Sequence, residues 1–316
     1  MNKNTFSCVN RDAFAHYHPV INMLYFALVM GCTMVLTHPV CLILSLSCAL
    51  TYAIYLNGKK AVRFNVLYML PFLIITALIN PAFTHQGVTI LTYLPSGNPL
   101  TLESILYGVS AAFLLICIIA WFSCFNAVIT SDKFVYLFGR IIPALSLILS
   151  MSLRFVPRFT AQIKVISNAQ RCVGRDASSG GIIKRARHGI KILSVLVTWA
   201  LENAIDTADS MKSRGYGLPG RTAFSIYRFD KRDKRAMLYL LFCGAVIITG
   251  AAFGRLKFYY YPIMTGAEPT IWQIGLFAVY FALCAMPIIL NVKEDLKWKA
   301  IQKRPETEPR SLPSKI

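Results

Sequence analysis

The sequence AFAHYHPVINMLYFALVMGCTMVLTHPVCLILSLSCALTYAIYLNG, residues 13 to 58, contains no Asp, Glu, Lys or Arg. A membrane-spanning helix needs about 20 apolar residues, so this stretch is too long for a single crossing. The triplet Thr37-His38-Pro39 interrupts it, because proline does not continue a helix. The stretch therefore predicts two spans, near residues 19 to 36 and 39 to 57.

Outward from this stretch, charge-free runs of bilayer length recur along the chain. They cover Phe64 to Leu102, Ser104 to Ser131, Ala236 to Gly254 and Pro269 to Val292. They predict four further spans, near residues 64 to 80, 105 to 129, 236 to 253 and 271 to 290. The expected fold class is all-α: a polytopic membrane protein with about six transmembrane helices. Phe134 to Val156 is a seventh candidate, either spanning or interfacial, which Arg140 and Pro143 weaken.

Loop charge predicts the orientation. Lys59, Lys60 and Arg63 share one loop, whereas the connection from Pro81 to Leu102 has no Lys or Arg. Both termini are then cytoplasmic and the protein is a multi-pass protein of the cell membrane. An external loop with Arg255 and Lys257 departs from the rule, but a large basic block outweighs it.

The net charge of +19 is typical of a membrane protein resting against anionic lipid. The sequence contains no nucleic-acid-binding module, so a nucleic-acid partner is not expected. The nine cysteines lie mostly in apolar runs and form no Cys-x-x-Cys, which argues against a disulfide framework or a zinc site.

The basic block is the segment from Arg154 to Arg235. It holds 17 of the 33 Lys and Arg residues and 6 acidic residues. Each charge at the bilayer centre costs about 2.5 to 3.5 kcal/mol, so the segment is expected on the cytoplasmic side. The chain thus divides into N-terminal spans (1 to 131), a cytoplasmic or interfacial module (132 to 235), two C-terminal spans (236 to 292) and a flexible cytoplasmic tail (293 to 316).

Two long helices are expected within the module. Pro157 suits the first residue of the first helix, which then runs toward Gln170 and ends at Gly174. A turn-forming stretch follows, and a second helix runs from near Ile182 to Arg214.

Gly215 suits a left-handed cap for the second helix, so Arg214 projects from a helix end. On electrostatics alone, a cation there offsets the helix dipole by about 0.3 to 1 kcal/mol. Ala200, Ala204 and Ala208 fall four apart and predict a face on which another helix packs closely.

Three motifs in this module resemble those of T components of energy-coupling factor (ECF) transporters. Ala208 to Gly217 reads Ala-Asp-Ser-Met-Lys-Ser-Arg-Gly-Tyr-Gly, whereas that family usually has Ala-Met-Glu-Ala-Arg-Gly-Tyr. Leu153-Arg-Phe-Val-Pro-Arg158 and Ala169-Gln-Arg-Cys-Val-Gly-Arg-Asp176 precede it in the family's order and spacing. His18-Pro19 also fits, and the resemblance covers roughly residues 15 to 290.

The resemblance implies a membrane subunit that couples two P-loop ATPases to a small substrate-capture (S) membrane subunit, for uptake of a vitamin or a transition-metal ion. Two coupling helices, inserted before the last two spans, each place an Arg in a groove on one ATPase. Carried onto this chain, Ser213, Arg214 and Gly215 form the second tip.

The first tip departs from the family pattern. With Ala169-Gln170 in register, the family's Ala-Arg-Gly falls on Cys172, Val173 and Gly174, so valine stands where arginine is expected. Arg171 and Arg175 flank it as possible substitutes, since a guanidinium on a long stem reaches a groove from a neighbouring position.

No catalytic constellation, metal-ligand spacing or phosphate-binding Gly-x-x-x-x-Gly-Lys-[Ser/Thr] is present, so no enzyme activity, cofactor or metal site is expected. Glu103 is expected to mark a helix start.

Two alternatives remain open. A secondary transporter or channel acting alone should carry charges within its spans, and the core spans have essentially none. A membrane scaffold that recruits soluble partners without transport is the other alternative. Sequence does not identify the substrate.

Overall fold

The computed structural model describes most of the chain as two units. The described residues are 12 to 58, 67, 69 to 84, 87 to 93, 99 to 139, 142 to 174, 181 to 219, 227 to 254, 256, 258 to 261, 264 to 266 and 270 to 302, with the side chains of 143 to 145 set aside. Contacts group residues 131 to 226 into one unit, the inserted unit, and the rest of the chain into the other, the membrane unit.

Within the described residues, the membrane unit contains six α-helices. A short 3₁₀ turn, Phe14–His16, precedes them. The helices are α1 (Pro19–Val35), α2 (Pro39–Asn57), α3 (Leu70–Phe83), α4 (Leu102–Val128), α8 (Lys231–Ala252) and α9 (Ile271–Gln302). Two small antiparallel hairpins pair β1 (Ile90–Tyr93) with β2 (Pro99–Thr101), and β3 (Phe258–Tyr259) with β4 (Thr265–Gly266).

These helices confirm the expected all-α membrane fold. Among the described residues, α2, α4, α8 and α9 are long and apolar enough to cross a membrane, and α1 and α3 are shorter apolar helices. The break between the first two spans falls where it was expected, because α1 ends at Val35 and α2 begins at Pro39. Glu103 lies in the first turn of α4, as predicted, where its carboxylate accepts bonds from Thr89.

A repeated His-Pro-Val tripeptide begins α1 and α2. His18 Nδ1 accepts the Val20 N–H at 3.3 Å, and His38 Nδ1 accepts the Val40 N–H at 3.3 Å. Proline follows each histidine, and its fixed φ and missing N–H suit the first helical position. Each imidazole therefore serves as an N-cap, and it does so only with Nδ1 unprotonated.

The two caps predict an acid-sensitive fold. Burial lowers the pKa of both histidines, and the nearby Asp233 carboxylate only partly opposes this at His18. Below a pH of about 6.5 the unfolded chain takes up protons that the folded caps resist, so stability is complete above that pH and is lost as the pH falls. We expect a loss of about 1 kcal/mol per cap, seen as a lower unfolding temperature in detergent.

Replacing both caps by asparagine provides the control, because Asn caps a helix without titrating. The variant His18→Asn/His38→Asn should lose much of the pH dependence between about pH 7 and 5 while remaining folded. An unchanged slope would assign the acid sensitivity to other groups.

Helix α4 lies at the centre of the membrane unit and packs against α1, α2 and α3. Helix α9 packs against α2 and α8, and α8 also packs against α1. Large aromatic side chains fill the space between these helices. Trp121 on α4 is fully buried, with its ring 6.0 Å from Tyr25 and 6.4 Å from Phe26 on α1, in tilted edge contacts.

A buried hydroxyl hub joins four of the helices. Ser45 Oγ on α2 accepts Trp121 Nε1–H at 2.9 Å and the Cys117 thiol at 3.0 Å, both from α4. It lies 3.2 Å from Thr33 Oγ1 on α1, which also lies 3.0 Å from Tyr280 Oη on α9. Because Thr33 donates its own proton to the Val29 carbonyl, Ser45 and Tyr280 are left as donors to Thr33.

Removing the Ser45 hydroxyl should destabilise the membrane unit. Ser45→Ala leaves the Trp121 N–H and the Cys117 thiol without their acceptor in an apolar interior, at an expected cost of about 1 to 3 kcal/mol. Thermal unfolding in detergent measures this. Ser47→Ala is the matched control, because Ser47 is exposed on the same helix and bonds only within its own turn, to the Leu44 carbonyl at 2.9 Å. Equal effects of the two substitutions would contradict the role given to the hub.

The inserted unit comprises α5 (Ser131–Gly139), α6 (Pro143–Cys172) and α7 (Ile182–Ser213). Helix α6 packs against both of the others. Neither α6 nor α7 is among the described helices apolar enough to cross a membrane. Phe134 to Val156 is also not one continuous helix, because α5 ends at Gly139 and α6 begins at Pro143; Arg140 lies outside the described residues.

The prediction that a helix begins at Pro157 is wrong, because α6 runs through this residue. A helix interior tolerates proline when the lost bond is compensated by context. Here the preceding apolar residues extend the helix back to Pro143, which takes the N-terminal position expected for Pro157. The first helix of the module is therefore twice as long as its motif indicated.

Candidate functional site at two helix ends

Helix α6 ends in a glycine-capped turn at the first predicted tip. Cys172 is its last residue, and Val173 is the C-cap, with φ −92° and ψ 13°. Gly174 follows at φ 75°, a left-handed conformation that suits glycine. The Gly174 N–H donates to the Arg171 carbonyl at 2.9 Å, which satisfies one of the free carbonyls at the helix end.

Helix α7 ends in the same way at the second tip. Ser213 is its last residue, and Arg214 is the C-cap, with φ −87° and ψ 12°. Gly215 follows at φ 77° and donates its N–H to the Lys212 carbonyl at 3.0 Å. The Tyr216 N–H donates to the Met211 carbonyl at 3.0 Å, which completes a Schellman motif. The expected left-handed cap at Gly215 is confirmed.

Superposing the two ends by cap position shows what they share and where they differ. Both carry an exposed cation two residues before the C-cap, Arg171 or Lys212, where it complements the helix dipole. At the C-cap itself, an exposed guanidinium on Arg214 corresponds to the isopropyl group of Val173, which is 67% exposed. Val173 and Arg214 therefore occupy the same cap position in their two helices.

An aromatic and aliphatic cluster joins the two helices well away from their ends. The ring of Phe159 on α6 lies 5.9 Å from that of Trp199 on α7, and the Arg158 guanidinium lies 5.3 Å from the Trp199 ring. Ile166 on α6 packs in one buried cluster with Ile192 and Leu196 on α7.

Helices α6 and α7 pack antiparallel. Phe159 of α6 lies against Trp199 of α7, whereas Ile166, later in α6, clusters with Ile192 and Leu196, which come earlier in α7. The C-terminal ends of the helices therefore extend to opposite sides of the crossing. At a rise of about 1.5 Å per residue, roughly 22 Å of helix separates Trp199 from Arg214. We call the parts of α6 and α7 between this cluster, the crossing, and their C-terminal ends the two arms. Each arm carries one tip.

The alanine stripe lies only partly on the side of α7 that contacts α6, because Ala200 follows the contact residue Leu196 by one helical turn. Ala200 is half-buried, and Ala204 and Ala208 are exposed, whereas Ile192, Leu196 and Trp199 make the contact with α6. The stripe stays a predicted packing face for some other helix. Arg175, the second predicted substitute for the missing arginine, lies outside the described residues.

Sequence reasoning located both helix ends but not the contacts that hold the helices together. Trp199 lies at least 40 residues after its partners Arg158 and Phe159, and no pattern in either segment indicates that they meet. Within the described ranges, no three His, Cys, Asp or Glu side chains group as a metal site. The site is therefore one of exposed cations and glycine caps on rigid helix ends.

Comparison with known proteins places the chain in a family. The family model described as CbiQ, cobalt transport protein, matches residues 12 to 225, more than half of the chain. The chain belongs to the CbiQ family of cobalt transport proteins. The match to this family extends from the first span through both tips, and this range also contains the His-Pro caps and the crossing.

Curated relatives of this CbiQ family member are named energy-coupling factor transporter transmembrane protein EcfT. One from Lactobacillus helveticus is 41% identical over 106 residues, 33% of this chain and 38% of the relative. One from Leuconostoc gelidum is 40% identical over 111 residues, 35% and 41% of the two chains. One from Lactococcus lactis is 34% identical over 105 residues, 33% and 40%. The matches span about two fifths of these relatives' length, and the expected resemblance to ECF T components is confirmed.

Proposed function

We propose that this chain is the membrane coupling subunit of an ECF-type importer, which transmits the motion of two cytoplasmic P-loop ATPases to a small substrate-capture (S) subunit. The main support for the proposal is that α6 and α7 pack against each other and that both end in the same kind of glycine-capped turn. An exposed Arg at a capped helix end is suited to a groove on a soluble partner, because its guanidinium forms several charge-assisted hydrogen bonds at a fixed position. The chain itself carries out no ATP hydrolysis.

The crossing explains how motion would pass between the arms. When two ATPases close on ATP, docked arms move with them, and the Trp199 cluster makes the arms respond together. The substrate is a vitamin or a transition-metal ion, and the family's description favours a metal such as cobalt. Both termini, the inserted unit and its two tips are on the cytoplasmic side of the cell membrane, where ATPases are available.

Affinity isolation of the full chain from its native cells tests this proposal. We expect two P-loop ATPases and a small membrane protein to co-purify, and the reconstituted complex to take up its substrate only with ATP. Uptake by the isolated chain in the absence of ATPases would instead support a secondary transporter. A complex that hydrolyses ATP but moves no substrate would support a scaffold.

The difference between the tips predicts unequal roles for their flanking cations. Arg171 must supply the charge that Val173 lacks, whereas Lys212 stands beside Arg214, which already supplies it. We expect Arg171→Ala to weaken the affinity for one ATPase by about tenfold, and Lys212→Ala to change it less than about threefold. The two substitutions are matched, since each removes one exposed cation two residues before a C-cap. Equal effects would show that Arg171 does not substitute.

A further inference from the structure

A cavity of about 330 Å³ opens at one end of the membrane unit, between the 3₁₀ turn and helices α8 and α9. Three cations line it: Arg232 from the start of α8, and Lys293 and Lys297 from the end of α9. Among the described residues of the lining, Glu294 is the one acidic side chain. The lining therefore carries a net charge of +2, in a concave site of a size suited to a small headgroup.

Nearby carboxylates are engaged elsewhere. Asp233 accepts the His18 N–H at 3.4 Å and the Asp230 N–H at 3.1 Å. Asp295 accepts the Tyr55 hydroxyl at 3.1 Å. These bonds fix the positions of the two carboxylates, and neither of them lines the cavity.

Arg232 is held in place on one wall. Its Cζ lies 4.3 Å from the centre of the Tyr17 ring, a cation–π contact, and Nη2 donates to the His16 carbonyl at 3.3 Å. The guanidinium has five N–H donors, so most of them are available to an anionic ligand. A fixed guanidinium with two mobile ammonium groups is a combination suited to a phosphate.

The cavity lies at the depth of the lipid headgroups. Lys293 is the first charged residue after the apolar run of α9, and Arg232 lies one helical turn before the apolar run of α8 begins at Ala236. Leu290 lines the cavity on the side of the apolar run. Trp298 lines it farther out and is 59% exposed, as is typical of an aromatic residue at a membrane surface.

We propose that this cavity binds the phosphate-bearing headgroup of an anionic phospholipid, with the phosphate held by Arg232, Lys293 and Lys297 and the first part of an acyl chain against Leu290. A free phosphate ion shares the headgroup's chemistry but gains nothing from the apolar wall or from the position at the membrane surface. The lipid is therefore the expected ligand. This site is separate from the two helix tips and does not depend on their proposed role.

Native mass spectrometry of the full-length chain released from nanodiscs tests the proposal. The nanodiscs contain phosphatidylcholine with a minor fraction of phosphatidylglycerol. Wild type should retain phosphatidylglycerol in preference to phosphatidylcholine. The double variant Arg232→Gln/Lys297→Gln should retain about 30-fold less, because each cation near an anionic headgroup contributes about a factor of five. Lys297→Gln alone, on an exposed side chain, should lose about fivefold without affecting folding.

The matched control is Lys234→Gln/Lys299→Gln, which removes two exposed cations from the same helices outside the cavity lining. It should retain the lipid as the wild type does. Equal loss in both double variants would reduce the effect to general surface charge and overturn the site. Displacement of the lipid by excess inorganic phosphate would identify a soluble-anion site and overturn the lipid assignment. Loss of co-purifying soluble proteins with lipid retention unchanged would identify a protein-docking surface instead, which also overturns it.

Discussion

Replacing Arg214 with alanine is expected to release one ATPase from the purified complex and to abolish ATP-driven uptake. The guanidinium is exposed at the C-cap of α7, and the turn that presents it is fixed by hydrogen bonds from Gly215 and Tyr216. Anchoring side chains of this kind contribute about 2 to 4 kcal/mol, so we expect the affinity for the ATPase to fall by about 30-fold to 1,000-fold. Arg214→Glu should have a larger effect, because its carboxylate would repel the hydrogen-bond acceptors that the guanidinium is proposed to bind. Co-isolation and uptake into proteoliposomes measure both results.

Lys191→Ala serves as the control for Arg214, since it removes one exposed cation from the same helix, about 35 Å of helix before Arg214. It should leave assembly and uptake close to those of the wild type. Arg214→Lys should recover only part of the affinity, because an ammonium group lacks the planar set of donors. Unchanged assembly and transport in Arg214→Ala would remove Arg214 from the mechanism.

Replacing Trp199 with alanine should have a different effect from Arg214→Ala. The ATPases should stay bound, but their ATP hydrolysis should no longer drive uptake. The side chain packs with Leu196 and contacts the Phe159 ring and the Arg158 guanidinium across the crossing. Trp199 is half-buried, and the loss of its packed ring is expected to cost about 1 to 3 kcal/mol, a large part of what the small contact between α6 and α7 supplies. Each tip still reaches its partner, but the arms no longer move as one. We expect ATP hydrolysis to continue while uptake per ATP falls at least about tenfold.

Two variants isolate the role of the Trp199 ring. Trp199→Phe keeps an aromatic ring at the crossing and should restore most of the coupling. Thr198→Ala removes an exposed neighbour, whose hydroxyl bonds only the Ser194 carbonyl of its own helix at 3.2 Å, and should be neutral. If Trp199→Ala instead lost both ATPases, the crossing would be needed for binding rather than for transmission.

The positions of the membrane helices could be predicted because charge is excluded from the apolar interior. Runs without Asp, Glu, Lys or Arg predicted the six apolar helices described in the membrane unit, four of which are long enough to cross a membrane. His38-Pro39 marked the break between the first two. The start of the third remains a prediction, since residues 59 to 66 lie outside the described ranges. The error at Pro157 has a specific cause. A proline suits a helix start, yet the apolar residues before it extend the same helix back to Pro143, which only the surrounding structure decides.

The candidate site was predictable where local backbone chemistry determines it. Gly174 and Gly215 each permit a left-handed turn, so both helix ends could be located, and with them the unequal residues Val173 and Arg214. Contacts between distant segments were not predictable. Phe159 and Trp199 are 40 residues apart in the chain, and Arg232 and Lys293 line one cavity because α8 and α9 pack side by side. A sequence pattern within one segment does not indicate which other segment packs against it.

The Ser45 hub limits how the membrane unit deforms. Its hydroxyl is held from α4 by two donors and from α1 through Thr33, and Tyr280 ties α9 to the same point. Turning α2 about its long axis by a single residue, about 100°, would break these bonds together in a medium that offers no water to replace them. The helices therefore resist twisting individually, and a mechanical load on this bundle is expected to tilt it as one piece.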